Sequence, residues 1–239
     1  KICIQLLGSQ NDMATIRLRY WSAFVASLLY WLFFIVCVLT LYLLNGRLFL
    51  LDVFLMALCF FTYNGCLFVG LKRFFQEFRI GGAPFATLLS PLQSFCVVRI
   101  FFILLWRQVI TLLFSLLLVF PGIWKAYELK MVPFLLAENP ELSQKRAFTL
   151  SRQMTKHEKF RLFLLEVPFF IVWGVSIFFL GYFALAVFLF SFPFYCAVQA
   201  EAYALLRAKA FSENWTAQDE LSGFHRYPIP AMEDLEYEK

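Results

Sequence analysis

The stretch FPGIWKAYELKMVPFLLAENPELS, residues 120–143, sets Lys125, Glu128 and Lys130 inside a run otherwise apolar enough to enter a membrane. A charge at mid-bilayer costs from about 3 to 10 kcal/mol or more, so such residues face the interior of a helical bundle and find partners there. Residues 121–136 therefore read as one span of a polytopic membrane protein, short and charged where its neighbours are long and apolar. Pro121 suits the first turn of that helix, because its missing N–H would have no partner there.

Working outward, the composition agrees. The chain is 62% hydrophobic and 15% charged, with 32 Phe among 239 residues, whereas soluble domains carry about 25% charged residues. Too little polar surface remains to clothe a soluble globule, which predicts an all-α integral membrane protein. Crossing the hydrocarbon takes about 20 apolar residues. Residues 21–44, 48–71, 96–120, 160–180 and 182–206 supply such runs, and with 121–136 they make six transmembrane helices in three hairpins. Asn45-Gly46-Arg47 and Gly181 are turn signals between hairpin partners. The first twenty residues are too polar for a secretory leader and the first span exceeds a leader's apolar segment, so that span is expected in the mature protein.

Lys and Arg set the orientation. They gather before the first span (Lys1, Arg17, Arg19), after the second (Lys72, Arg73, Arg79), after the fourth (Lys145, Arg146, Arg152, Lys156, Lys159, Arg161) and after the sixth (Arg207, Lys209), while the alternate turns carry only Arg47. By the positive-inside rule both termini and both long connections are cytoplasmic. The same distribution accounts for the net charge of +5 without nucleic acid as a partner.

The second long connection patterns as a helix. Asn139 can cap it and Pro140 can start it, while Ala147, Leu150, Ser151 and Met154 share one face and Lys145, Arg146, Arg152 and Lys156 lie largely elsewhere. An amphipathic cytoplasmic helix between spans four and five follows, with two placements: on the inner leaflet, where those four cations would contact lipid headgroups, or packed on the protein's own spans. Residues 71–93, broken by Gly81-Gly82 and Pro84, read as a shorter amphipathic helix and an interfacial approach to the third span. Residues 1–212 form the membrane domain and 213–239 an acidic cytoplasmic tail, which can dock on the basic helix or serve as a partner site. Asn214-Trp215-Thr216 matches a glycosylation sequon, which on a cytoplasmic tail carries no weight.

Residues 121–166, PGIWKAYELKMVPFLLAENPELSQKRAFTLSRQMTKHEKFRLFLLE, resemble the DUF975 family of bacterial polytopic membrane proteins. The elements are Pro121-Gly122, Tyr127, Ala137 to Ser143, Ala147 with Ser151-Arg152, and the basic, aromatic segment Lys159 to Phe163. The family usually has Gly where His157 stands and a Ser-containing start to the next span where Pro168 stands. The resemblance implies six spans in a bacterial cell membrane and no known activity. Related membrane modules accompany glycerophosphodiester phosphodiesterases, which points toward lipids.

Depth arithmetic at about 1.5 Å per residue places Asp52 and Lys125 within roughly 10 Å of the outer surface, Glu128 and Lys130 at about 10 to 15 Å, and Arg107 and Glu166 near roughly 20 Å. These six form a candidate intramembrane charge network, with Arg107 expected on Glu166, Lys125 on Glu128, and Lys130 beside the Leu129 carbonyl that Pro133 frees. Arg99 and Glu201 lie near span ends and can snorkel. The network is either a set of interhelical clamps or a polar path between the second and third hairpins. With only His157 and His225, no nucleophile or phosphate-loop motif, and six scattered cysteines that read as apolar packing residues, no catalytic residue, metal or cofactor is assigned. The expected function is a nonenzymatic scaffold or accessory protein that binds lipid, or a protein partner through the cytoplasmic helix or tail; the alternative is a small transporter or channel.

Overall fold

The computed structural model describes residues 20–32, 35, 39, 67–80, 84–93, 96–217 and 220–221. It is all-helical, at 87% helix, with no strand among the described residues. The architecture rests on α1 (Tyr20–Leu32), α2 (Phe68–Ile80), α3 (Val97–Leu117), α4 (Val119–Glu128), α5 (Val132–Glu138), α6 (Gln144–Thr155), α7 (Lys159–Leu180) and α8 (Ala184–Ser212). A 3-10 segment, Phe85–Leu89, and a single helical turn, Ser90–Gln93, lead into α3. Most of the expected second span, the Asn45-Gly46-Arg47 turn and the tail beyond residue 221 lie outside the described residues.

Three helices, α3, α7 and α8, are long and apolar enough to cross a membrane. Their free faces leave Leu112, Leu116, Ile177, Phe178 and Leu185 exposed, a surface suited to hydrocarbon rather than water. The three are compatible with membrane insertion. The glycine at 181 ends α7 in the left-handed region, at φ 50°, and lets α8 fold back along α7. From the other side α1 lays Phe24 on Phe190, ring centroids 4.9 Å apart, and Trp31 on Phe188 at 5.3 Å.

The span expected over residues 121–136 is instead two short helices. It breaks at residues 129–131, between α4 and α5. Pro133 lies in the first turn of α5, where a proline is accepted, but its ring and missing N–H forbid continuation of the helix from α4. Before the break, Leu118 adopts an extended backbone (φ −162°, ψ 143°) and turns α4 back onto α3. Gly122 permits the contact, since a Cβ there would overlap both the side chain and the Cα of Ser115. All seven residues of α5 are buried, so α5 is a plug in the core and not a lipid-facing span.

The core surrounds that plug. Leu71, Phe74 and Phe75 of α2 are buried, as are Phe134 and Leu135 of α5 and Tyr203 of α8, and α2 packs on both α5 and α8. The short amphipathic helix expected within residues 71–93 is thus a central one. Gly70 makes this possible on its other side, where a Cβ would strike the Leu88 carbonyl.

The amphipathic helix α6 starts later than expected. Ser143 is the N-cap of α6, its Oγ accepting the Arg146 N–H at 3.3 Å, while Asn139 closes an Asx turn by accepting the Glu141 N–H at 2.9 Å. The predicted face, Ala147, Leu150, Ser151 and Met154, is fully buried against α4, α5 and α8. Of the two placements read from the sequence, the helix takes the one on the protein's own helices.

Gly122 on α4 and Gly174 on α7 give opposite predictions. Gly122→Ala should lower the thermal unfolding temperature in detergent because α3 and α4 must separate to admit the methyl group. Gly174→Ala, with nothing within 4 Å of its added Cβ, should hold or raise it by removing a mid-helix glycine, worth up to about 1 kcal/mol. Equal shifts in both variants would show that α4 does not lie against Ser115.

Candidate functional site

Along α8, polar residues recur at every fourth position: Ser191, Tyr195, Gln199, Tyr203 and Arg207. Residues four apart form one inclined ridge of an α-helix, so a largely apolar helix carries a polar ladder that passes from one neighbour to the next. Trp173 Nε1 on α7 donates to Ser191 Oγ at 2.7 Å. Tyr195 Oη donates to Glu166 Oε1 at 2.7 Å, and Gln199 Nε2 donates to the same oxygen. Lower on the ridge, Tyr203 Oη donates to Glu138 Oε2 at 2.7 Å, and Arg207 reaches Glu138 Oε1 through Nε at 2.9 Å and Nη2 at 2.6 Å.

Two buried carboxylates, Glu166 on α7 and Glu138 on α5, each 3% exposed, are therefore held by one helix. Glu166 also meets the broken segment: Tyr127 Oη donates to it at 2.5 Å and Lys130 Nζ lies 2.5 Å from Oε1. The Lys130 ammonium sits 4.6 Å from the centroid of the Tyr127 ring, a cation–π contact that adds to the ion pair.

A third carboxylate, Glu128 at the end of α4, gathers Lys125 at 2.7 Å, Arg152 at 2.6 Å and Lys159 at 3.1 Å. Its backbone carbonyl accepts hydrogen bonds from Ser151 Oγ at 2.8 Å and Thr155 Oγ1 at 3.3 Å. A terminal helix carbonyl has no partner within its own helix, so two hydroxyls of α6 cap α4. This is why polar residues occupy the buried face of α6.

The structure brings together Lys125 with Glu128, and Lys130 with Glu166, but not Arg107 with Glu166. Arg107 instead lies on α3 with its guanidinium 6.0 Å from the centroid of the Phe68 ring and borders a pocket of about 300 Å³ with Gln108, Thr111 and Ser115. The depth count assumed one continuous helix over residues 121–136, whereas the break moves Lys130 to the level of Glu166. The Leu129 carbonyl accepts the Val132 N–H at 3.4 Å and is not the partner of Lys130. Asp52 lies outside the described residues.

Of the four cations expected on lipid headgroups, two are committed within the chain. Arg152 meets Glu128, and Arg146 forks onto Glu220 through Nε at 2.6 Å and Nη2 at 2.8 Å, with a further bond to the Trp215 carbonyl. Lys145 and Lys156 are exposed. The Arg146 guanidinium beside Glu220 holds that carboxyl below its usual range, against the opposing effect of partial burial. Around this pair the start of the tail docks: Leu221 is buried, Arg207 Nη2 donates to its carbonyl at 2.7 Å, and Asn139 Nδ2 donates to the Glu220 carbonyl at 2.9 Å.

Other charges stand apart from their expected places. Lys72, read as a loop cation, is buried, with its ammonium 4.9 Å from the centroid of the Phe134 ring and 5.3 Å from that of Phe68. Glu201 is bonded by Arg79 of α2, whereas Arg99 is exposed. No protein-family model, characterised protein or solved structure matches the chain.

Glu166→Gln should strand the Lys130 charge and Lys130→Met should strand the carboxylate, each costing about 3 to 5 kcal/mol. The double variant should lie closer to the parent protein than the sum of the two, and Arg107→Met should cost less than Lys130→Met. Additive losses from Lys130→Met and Glu166→Gln in detergent melting curves would mean that the two residues do not interact.

Proposed function

We propose that the chain is a nonenzymatic scaffold or accessory protein of a bacterial cytoplasmic membrane. Its helices keep a layout of three hairpins in which the broken pair α4 and α5 takes the place of a fourth continuous span, both termini are cytoplasmic, and lipid or a protein partner binds at the inner face. The observation that carries this reading is the closure of the three buried carboxylates. Glu166 takes Lys130, two tyrosines and Gln199; Glu138 takes Arg207 and Tyr203; Glu128 takes three cations. A transport path would have Arg107, Glu128, Lys130 and Glu166 lining one hydrated cavity, whereas Arg107 and Glu128 border different pockets. Clamped carboxylates make a rigid interior, and rigidity suits a platform.

The part assigned to the inner face is held together by the same kind of packing. Helices α5 and α6 and the first residues of the tail form one block, tied by Arg146 to Glu220 and by Arg207 to both Glu138 and Leu221. The resemblance to the DUF975 family belongs to this proposal. It draws support from His157, whose φ of 68° is a left-handed conformation that glycine adopts without strain, at the position where that family usually has glycine.

Cys196, a free and buried thiol on α8 one residue from Tyr195, tests the closed interior. In a variant whose remaining cysteines are replaced by alanine, reconstituted in liposomes, the thiol should stay unmodified by a charged, water-soluble methanethiosulfonate until the protein is denatured. Rapid modification in the folded protein would reveal water at the level of Glu166 and favour the transporter.

A further inference from the structure

We propose that the groove between α4, the end of α6 and the start of α7 binds the phosphate of an anionic phospholipid headgroup. The inference rests on the membrane-platform reading and gives that platform a ligand. The groove has a volume of about 530 Å³, and Arg152, Lys156, His157 and Lys159 line it together with Glu128. A space of this size holds a small polar group.

Charge balance identifies the missing partner. One lining carboxylate faces three lining cations, and its two oxygens are already engaged, Oε1 by Lys125 and Arg152 and Oε2 by Lys159. The cations keep donors to spare. A guanidinium has five N–H groups and an ammonium three, and Lys156 is exposed. Lys159 is the best placed of them: its side chain is only 13% exposed, and its ammonium lies 4.5 Å from the centroid of the Trp124 ring. Its stem and head are thereby fixed before any ligand arrives. A phosphate brings one or two negative charges and several acceptor oxygens, which is the complement that this surplus lacks.

Position separates a lipid from a free anion. The groove opens where α7, one of the helices long enough to cross a membrane, begins at Lys159. The aromatic residues that line it, Trp124 and Phe160, are 62% and 68% exposed, and Phe163 and Leu164 continue an exposed apolar surface along α7. A molecule with a phosphate in the groove and hydrocarbon along α7 satisfies both surfaces at once, and aromatic rings of this kind favour the headgroup level.

The full chain in phosphatidylcholine nanodiscs containing phosphatidic acid tests the assignment, with bound lipid counted by native mass spectrometry. Thermal unfolding serves as the folding control, because Arg152 also touches Glu128. The parent protein should retain phosphatidic acid in preference to phosphatidylcholine. Lys156→Gln should reduce that retention about fivefold and Arg152→Gln/Lys156→Gln further, while Lys145→Gln, on the same helix but outside the groove, leaves it unchanged. Inorganic phosphate in the buffer should not displace the lipid. Equal losses in Lys145→Gln and Lys156→Gln would replace the site with diffuse attraction, and displacement by inorganic phosphate would make it a soluble-anion site. Either result, or no preference for the anionic lipid, overturns the proposal. A failure here with Cys196 still protected leaves the scaffold reading standing, whereas an accessible Cys196 removes that reading independently of the lipid result.

Discussion

A carboxylate removed from water must be met by charge or by several donors, and in this chain the consequences of that constraint run through most of the interior. Glu166 and Glu138 sit on different elements, yet both are answered from the same ridge of α8. The ridge is inclined, so its upper polar groups face α7 and its lower ones face α5. One helix thereby fixes the position of two others. The apolar contacts among α2, α5 and α8 fill the space that those bonds define, as in the stacking of Phe134 on Tyr203 with ring centroids 5.1 Å apart.

The broken segment depends on the same bonds. A helix as short as α5, with seven residues, does not hold together on its own. Its first turn is limited by Pro133 and its last residue is the glutamate that Arg207 and Tyr203 grip. At the other end of the break, Tyr127 and Lys130 reach Glu166, and Ser151 and Thr155 cap the final carbonyl of α4. The hairpin of α3 and α4, the plug α5 and the helix α6 are thus coupled through side chains that a continuous span would have pointed elsewhere.

Much of this was legible in the sequence, and the rest failed for identifiable reasons. The three helices long and apolar enough to cross a membrane, α3, α7 and α8, follow from run length and apolar content, and the buried face of α6 from its 3.6-residue spacing. The break at residues 129–131 was missed because Pro133 was read as one freed carbonyl inside a helix, and the Arg107 partner was then misassigned by a depth count along that helix. Ser191, Tyr195, Gln199, Tyr203 and Arg207 form an i, i+4 series in the sequence, but run length and apolar content alone do not single it out, and Arg207 counts there only as an orientation charge. Glu138 passed as a loop acid because only tertiary packing places it opposite Arg207. Lys72 counted as an orientation charge because nothing local signals that Phe68 and Phe134 cover it.

The α8 ladder, rather than local helix propensity, holds α5 in place, and amide hydrogen exchange in lipid nanodiscs reads that hold. Residues 134–138 should exchange as slowly as the core of α8 in the parent protein. In Glu138→Gln they should exchange far faster, while the central turns of α7 keep their protection. Rapid exchange of α5 in the parent protein, at the rate of an exposed loop, or unchanged protection in the variant would show that the ladder does not hold α5.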